Sequence, residues 1–145
     1  MPAPLDEEEF RRWRHQGDGA AHTAALAAAG GRHDWACFLS EQAAQLALKG
    51  LLRGVGAEAW GHDLVVLQAR AAEELAQAWP VGLDEPAARL ARHYIPTRCP
   101  DAHPSGSPSS HYTPADAAQA AEDARRLLGA ADGAWWLLSQ AEGPA

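Results

Sequence analysis

Cysteine is scarce in this chain: Cys37 and Cys99 are the only two among 145 residues. Two cysteines so far apart form neither a disulfide framework nor a zinc motif. Cys37, inside WACFL, reads as a small buried hydrophobe. Cys99 is a loop thiol beside Arg98 with no evident base, which is weak ground for a nucleophile. Lysine is scarcer still, since Lys49 stands alone and arginine supplies every other basic side chain. Basic residues are outnumbered, 12 against 19 acidic ones, and the formal charge is −7. That excludes a globally basic nucleic-acid surface, so any phosphate contact has to come from a local patch. No run approaches the roughly 18 apolar residues of a membrane span. The opening MPAPLDEEEF is acidic where a signal peptide is basic and then apolar, so a cytoplasmic protein is expected. Strand signals are almost absent. At 47% apolar residues the chain still has enough to bury a core, and its length fits one domain without metal or disulfide staples.

What is present is helical periodicity. Asp6 with Glu9 three residues later resembles a capping box, and Phe10, Trp13, Gly17, Ala20, Ala24 and Ala27 then follow at spacings of three and four. They predict a helix over 6–29, ended by Gly30-Gly31. A second helix is predicted over 34–53. It has one apolar line through Trp35, Leu39, Ala43, Leu46 and Gly50, and a mixed line through Phe38, Gln42, Gln45, Lys49 and Leu52. Asp63 is a good cap for a third helix that carries Leu64, Leu67, Ala71, Leu75 and Ala78 up to Pro80. Asp84 is expected to cap a short fourth helix, with Arg89, Arg92 and His93 away from its apolar side. The stretch over 97–112, rich in proline and serine, reads as a long and partly mobile loop. Thr113-Pro114 opens the last helix, whose seam runs through Ala117, Ala121, Ala124, Leu128, Ala131, Trp135 and Leu138. Trp135 and Trp136 are adjacent and cannot both face one core, so one of them is left for a partner or the surface. The expected fold is all-α, a four- to five-helix up-and-down antiparallel bundle over 6–140, with frayed ends at 1–5 and 141–145.

Four stretches carry a further signal. They are WACFLSEQAAQLALKGLL, His62-Asp63-Leu64 with Leu67, Tyr94-Ile95-Pro96-Thr97-Arg98-Cys99-Pro100-Asp101, and Tyr112-Thr113 before an Ala-rich helix. In this order they resemble the HEPN domain, the higher eukaryote and prokaryote nucleotide-binding family. Gln45 and Leu46 stand where the family often has Glu and Lys, and Cys99 replaces its usual Tyr. The resemblance implies a bundle that is usually a homodimer, often encoded beside or fused to a minimal nucleotidyltransferase as one half of a toxin-antitoxin pair. It also implies that some members are metal-independent RNases with an Arg-x4–6-His motif paired across a dimer cleft.

Arg98 and His103 match Arg-x4-His. In such a site His103 would take the proton from a ribose 2′-hydroxyl while Arg98 holds the phosphate. The wider basic set is Arg89, Arg92, His93, Arg98, His103 and His111, which gathered together would make a local patch for a nucleotide or an RNA segment. The alternative for Arg89 and Arg92 is a solvated helix face or pairing with Asp84, Glu85 or Asp101. The alternative for Arg98 is a pin to Asp101 or Asp63. Lys49, with Gln42 and Gln45, either reaches a ligand or belongs to a satisfied polar seam. His62 reads as a capping or structural histidine, and no metal or cofactor is expected. The leading expectation is a nucleotide- or RNA-binding and interaction module that partners a separate nucleotidyltransferase. An endoribonuclease toxin using Arg98 and His103 is second, and a structural partner without a ligand is third.

Overall fold

Helix α1, Glu7–Ala29, begins where the sequence places it. The Asp6 carboxylate accepts from the Glu9 amide at 3.0 Å. The reciprocal half of the capping box is not made, because the Asp6 N–H donates to Gly54 O at 2.7 Å and ties the entry of α1 to the end of α2. This is a computed structural model, and it describes residues 4–141. The fraying expected at 1–5 and 141–145 therefore falls mostly outside the described residues, although Leu5 packs against the core. The remaining helices are α2 (His33–Gly54), α3 (Leu64–Glu74), α4 (Asp84–Ala91) and α5 (Pro114–Ala141), and no strand occurs among the described residues. No helix among them is long and apolar enough to cross a membrane.

Helix α2 is the hub, packing on α1 and α5 and also on α3 and α4. A helix buried on most sides needs small residues wherever a neighbour comes close. A Cβ added at Gly50 would meet Trp13 Cβ at 2.8 Å and Phe10 O at 3.2 Å. One added at Gly54 would meet the Trp135 ring at 2.6 Å and Phe10 Cβ at 3.1 Å. One added at Gly17 would meet Ala43 O at 3.2 Å, so α1 runs antiparallel along α2. Phe10 and Trp135 stack with centroids 4.4 Å apart, and Arg14 donates twice to Asp132, which sets α5 antiparallel to α1 as well. Arg89 on α4 meets Asp123 on α5 while Arg126 reaches Gly82 O, another antiparallel pair. The architecture is thus an all-α bundle in which α3 and α4 together form the third leg.

Three local expectations change. The third helix stops at Glu74 rather than near Ala78, because Trp79 folds back into the core. Its indole donates to Gln68 Oε1 at 2.6 Å, and Gln68 in turn donates to Asp84. Asp84 is therefore committed to that amide and does not cap α4, whose cap position is Leu83. The buried face of α5 is wider than the heptad line. It adds Ala120, Leu127 and Ala134 and leaves Ala121 exposed, since α5 touches three helices. Trp135 is the buried member of its pair and Trp136 is 62% exposed.

These contacts make opposite forecasts for two glycine-to-alanine changes. Alanine gains about 1 kcal/mol of helix propensity in a helix interior. At Gly50 overpacking of about 1–3 kcal/mol outweighs that gain, so Gly50→Ala lowers stability. At Gly129 the space is open, and Gly129→Ala raises stability by up to about 1 kcal/mol. Urea denaturation midpoints of the two variants read both signs.

Candidate functional site

Helical spacing places Phe38, Glu41, Gln42, Gln45 and Lys49 along one stripe of α2. Glu41 is fully buried. The Gln42 and Gln45 amides donate to its two oxygens at 2.7 and 2.6 Å. Burial pushes the Glu41 carboxyl up to about 7, against the opposing pull of these two amides and of the Arg98 and Lys49 charges. Burial also lowers the Lys49 ammonium; Glu41 opposes that shift and Arg53 adds to it.

The α2–α3 connection and the segment after α4 close over this stripe. His62 Nδ1 lies 3.3 Å from both Gln45 Oε1 and Lys49 Nζ. It donates to the amide oxygen in one tautomer and accepts from the ammonium in the other. The His62 ring stacks on Tyr94 at 5.5 Å. Arg98 donates through Nε and Nη2 to Tyr94 O, and its guanidinium lies 4.3 Å above the Phe38 ring and 4.8 Å from the Tyr94 ring. It is therefore held by a carbonyl and two rings, and neither Asp101 nor Asp63 pins it.

Arg98 also walls a cleft of about 330 Å³ that the start of α2 and the 97–112 segment enclose. Arg32, Asp34, Trp35, Ser107 and Ser109 share that cleft. Trp35 is 48% exposed and sits edge-on to Phe38 at 6.2 Å. A second cleft of about 330 Å³ lies between α1 and α5. Its arginines are already neutralised, Arg14 by Asp18 and Asp132 and Arg125 by Glu122. The two clefts have the same volume, and the state of their guanidiniums separates them.

The other expected residues disperse. Arg89 makes a two-pronged pair with Asp123, at 2.8 and 3.0 Å, and Asp123 is almost completely buried. That cation is tied up at the α4–α5 interface by a partner that spacing along α4 did not reveal. Arg92 is exposed. His93 is half-buried against Tyr112, and desolvation lowers its pKa while Asp116 and Asp123 oppose the shift. His103 Nε2 donates to Pro96 O at 2.7 Å, and His111 Nε2 donates to Ser105 O at 2.6 Å. The two imidazoles stack at 4.3 Å, with Tyr112 edge-on to His103. The 97–112 segment is thereby folded into two 3-10 turns, Pro100–Ala102 and Pro108–Ser110, pinned by histidines. No hydrogen bond joins Arg98 to His103. Among the described residues no cluster of His, Cys, Asp and Glu is fit to hold a metal.

The profile of the HEPN domain matches residues 10–133. The chain belongs to the HEPN family. Its fold is shared with the crystal structure of TT1696 from Thermus thermophilus, which is 38% identical with a TM-score of 0.81, the match covering 86% of this chain and 97% of that one. ST0689, an archaeal HEPN homologue, is 34% identical with a TM-score of 0.71 over 86% of this chain and 95% of its own. An HEPN domain protein of Thermotoga maritima, tm0613, is 26% identical with a TM-score of 0.66 over 88% of this chain and 98% of its own. No curated protein matches the chain.

Within this HEPN domain, sequence reasoning missed Glu41 although a signal was available. Glu41, Gln45 and Lys49 are each four residues apart and share the stripe already drawn through Phe38 and Gln42. Arg32, Asp34 and Trp35 carried no such signal, because only the fold brings them to Arg98.

The raised pKa of Glu41 makes its contribution to stability depend on pH. Its folded pKa lies above its ordinary 4.5, so the folded state holds the proton more tightly than the unfolded one. The contribution of Glu41 to stability is therefore fully present below about 4.5 and lost as pH rises through about 7, by on the order of 3 kcal/mol at 1.36 kcal/mol per unit. Glu41→Gln is expected to flatten this slope, and urea midpoints measured from pH 5 to pH 8 on both proteins check it.

Proposed function

We propose that this HEPN domain is a nucleotide- or RNA-binding and interaction module, with Arg98 and Arg32 as the phosphate contacts of the Trp35 cleft. The observation that carries this reading is the state of Arg98. Its guanidinium is fixed by Tyr94 O and the Phe38 and Tyr94 rings, yet among the described residues no ion pair engages it. A pre-positioned, unpaired guanidinium loses little freedom when it takes a phosphate oxygen, and its planar fork suits two of them. Trp35 at the same cleft offers a face on which a base can stack. Ser107 and Ser109 add hydroxyls.

The interaction half of the reading rests on α5. Trp136 is exposed beside an apolar groove that Pro80, Ala130 and Leu137 help to line. We assign this surface to association with a second copy of the chain, and we take the nucleotidyltransferase expected from the family as the separate protein with which the domain works. The endoribonuclease reading has less support from the geometry. The His103 Nε2–H donates to Pro96 O, which leaves Nδ1 as the basic nitrogen, but His103 does not line the cleft that Arg98 walls and no hydrogen bond joins the two side chains. A general base has to stand beside the phosphate that the guanidinium holds.

The test is titration of ATP and of a short single-stranded RNA into the domain. Saturable, salt-sensitive binding that weakens about ten-fold or more in Arg98→Gln is expected, from the roughly 1.5–3 kcal/mol of a charged hydrogen bond. Cleavage of RNA in EDTA that disappears in His103→Ala would replace the module with the endoribonuclease. Neither binding nor cleavage, with tight retention of a neighbouring protein, would leave a structural partner.

A further inference from the structure

The cleft that holds Arg98 contains one group that a phosphate site does not need. Asp34 lines it, is 6% exposed, and among the described residues nothing donates a hydrogen bond or a salt bridge to its carboxylate. It stands in the first turn of α2, a 22-residue helix whose cap position, Arg32, supplies no side-chain bond. The positive end of the helix offsets part of the cost of burying this charge. It leaves the carboxylate oxygens, which open to the cleft, without a donor from the protein. A bare phosphate in the cleft would meet two guanidiniums and be repelled by Asp34. A ligand with a phosphate at one end and paired N–H or O–H donors at the other would satisfy both.

We propose that Asp34 is the specificity-determining residue of this cleft, accepting hydrogen bonds from paired donors of a mononucleotide whose phosphate lies on Arg98 and Arg32 and whose base stacks on Trp35. This rests on the reading of the cleft given above and adds the class of ligand. A volume of about 330 Å³ is at the lower end for small-molecule sites and suits one nucleotide rather than a dinucleotide. Two parts of a nucleotide carry adjacent donors, namely the N1–H and 2-amino group of guanine and the ribose 2′,3′-diol. A carboxylate accepts either pair with its two oxygens.

The near-isosteric Asp34→Asn change separates this role from mere electrostatics by sign. Removing a charge that only repels strengthens every anion, whereas removing a reader of donors weakens the nucleotide and strengthens the bare anion. Calorimetric titrations of wild type, Asp34→Asn and Arg98→Gln with GMP, AMP, 2′-deoxy-GMP and pyrophosphate make the comparison. The expected result is GMP bound more tightly than pyrophosphate by wild type, about ten-fold or more weaker GMP binding in Asp34→Asn, and unchanged or tighter pyrophosphate binding in the same variant. AMP binding as tightly as GMP assigns the donors to the ribose, and 2′-deoxy-GMP binding as tightly as GMP assigns them to the base. GMP binding lost in Arg98→Gln but unchanged or strengthened in Asp34→Asn overturns the role of Asp34 and leaves the cleft standing. Wild type binding pyrophosphate as tightly as GMP does the same and needs no variant to fold. No nucleotide binding at all, or binding indifferent to Arg98→Gln, overturns the cleft and this inference together.

Discussion

Helix α2 is enclosed by the other four helices and still carries Asp34, Ser40, Glu41 and Gln45 into that enclosure. Buried polar groups without partners cost several kcal/mol, so the surrounding elements are obliged to bring partners to them. Much of the rest of the structure answers this obligation. Gln42 and Gln45 sit one and four residues beyond Glu41 and give it two donors from its own helix. The α2–α3 connection brings His62 to Gln45, and the segment after α4 brings Tyr94 to stack on His62 and Arg98 to lie near Glu41. Among the described residues, Asp34 alone of the buried carboxylates receives no hydrogen bond, and it opens into the cleft beside Arg98.

The distribution of arginines follows from the same constraint. The interior carboxylate of Asp123 takes Arg89, with Gln119 adding a third donor. Arg14 is held between Asp18 and Asp132 and joins α1 to α5. These guanidiniums belong to the architecture: removing Arg89 would strand the buried Asp123, and removing Arg14 would cut the tie between α1 and α5. Arg98 differs in kind. Its partners are a carbonyl and aromatic faces, which fix its position without neutralising it. Glu41 and Asp34 lie near it, but neither forms an ion pair with it, and in this it differs from Arg14 and Arg89.

The helices were legible because apolar spacing is a local property: Phe10, Gly17 and Ala24 on α1 and Leu128 and Trp135 on α5 are buried as their spacing predicts. The ends of α3 and α4 were less legible, since they depend on Trp79 reaching Gln68 and on Gln68 reaching Asp84, contacts made across the fold. The site was legible only at Arg98. The basic residues of α4 are near it in sequence and were grouped with it, but Arg89 faces α5 and His93 faces Tyr112. Arg32 and Trp35 lie more than sixty residues away and become neighbours only because the 97–112 segment folds back over the start of α2. Serine and proline there suggested mobility. The carbonyl acceptors that hold His103 and His111 in place have no signature in composition.

The overall charge bears on what such a cleft can hold. At a formal −7 the domain repels a long polyanion at a distance, and this field slows encounter instead of steering it. Two guanidiniums displace few counterions, so the sequence-independent affinity that basic proteins draw from many phosphates is not open to this one. Affinity has to come from short-range contacts, which act within a few ångströms and are screened little in a partly enclosed cleft. Stacking on Trp35 and hydrogen bonds to fixed groups are contacts of that kind. They favour a small ligand or an unpaired nucleotide that enters the cleft whole. A duplex, whose bases are already stacked and whose charge is spread over many phosphates, presents neither a free face nor a single phosphate to Arg98.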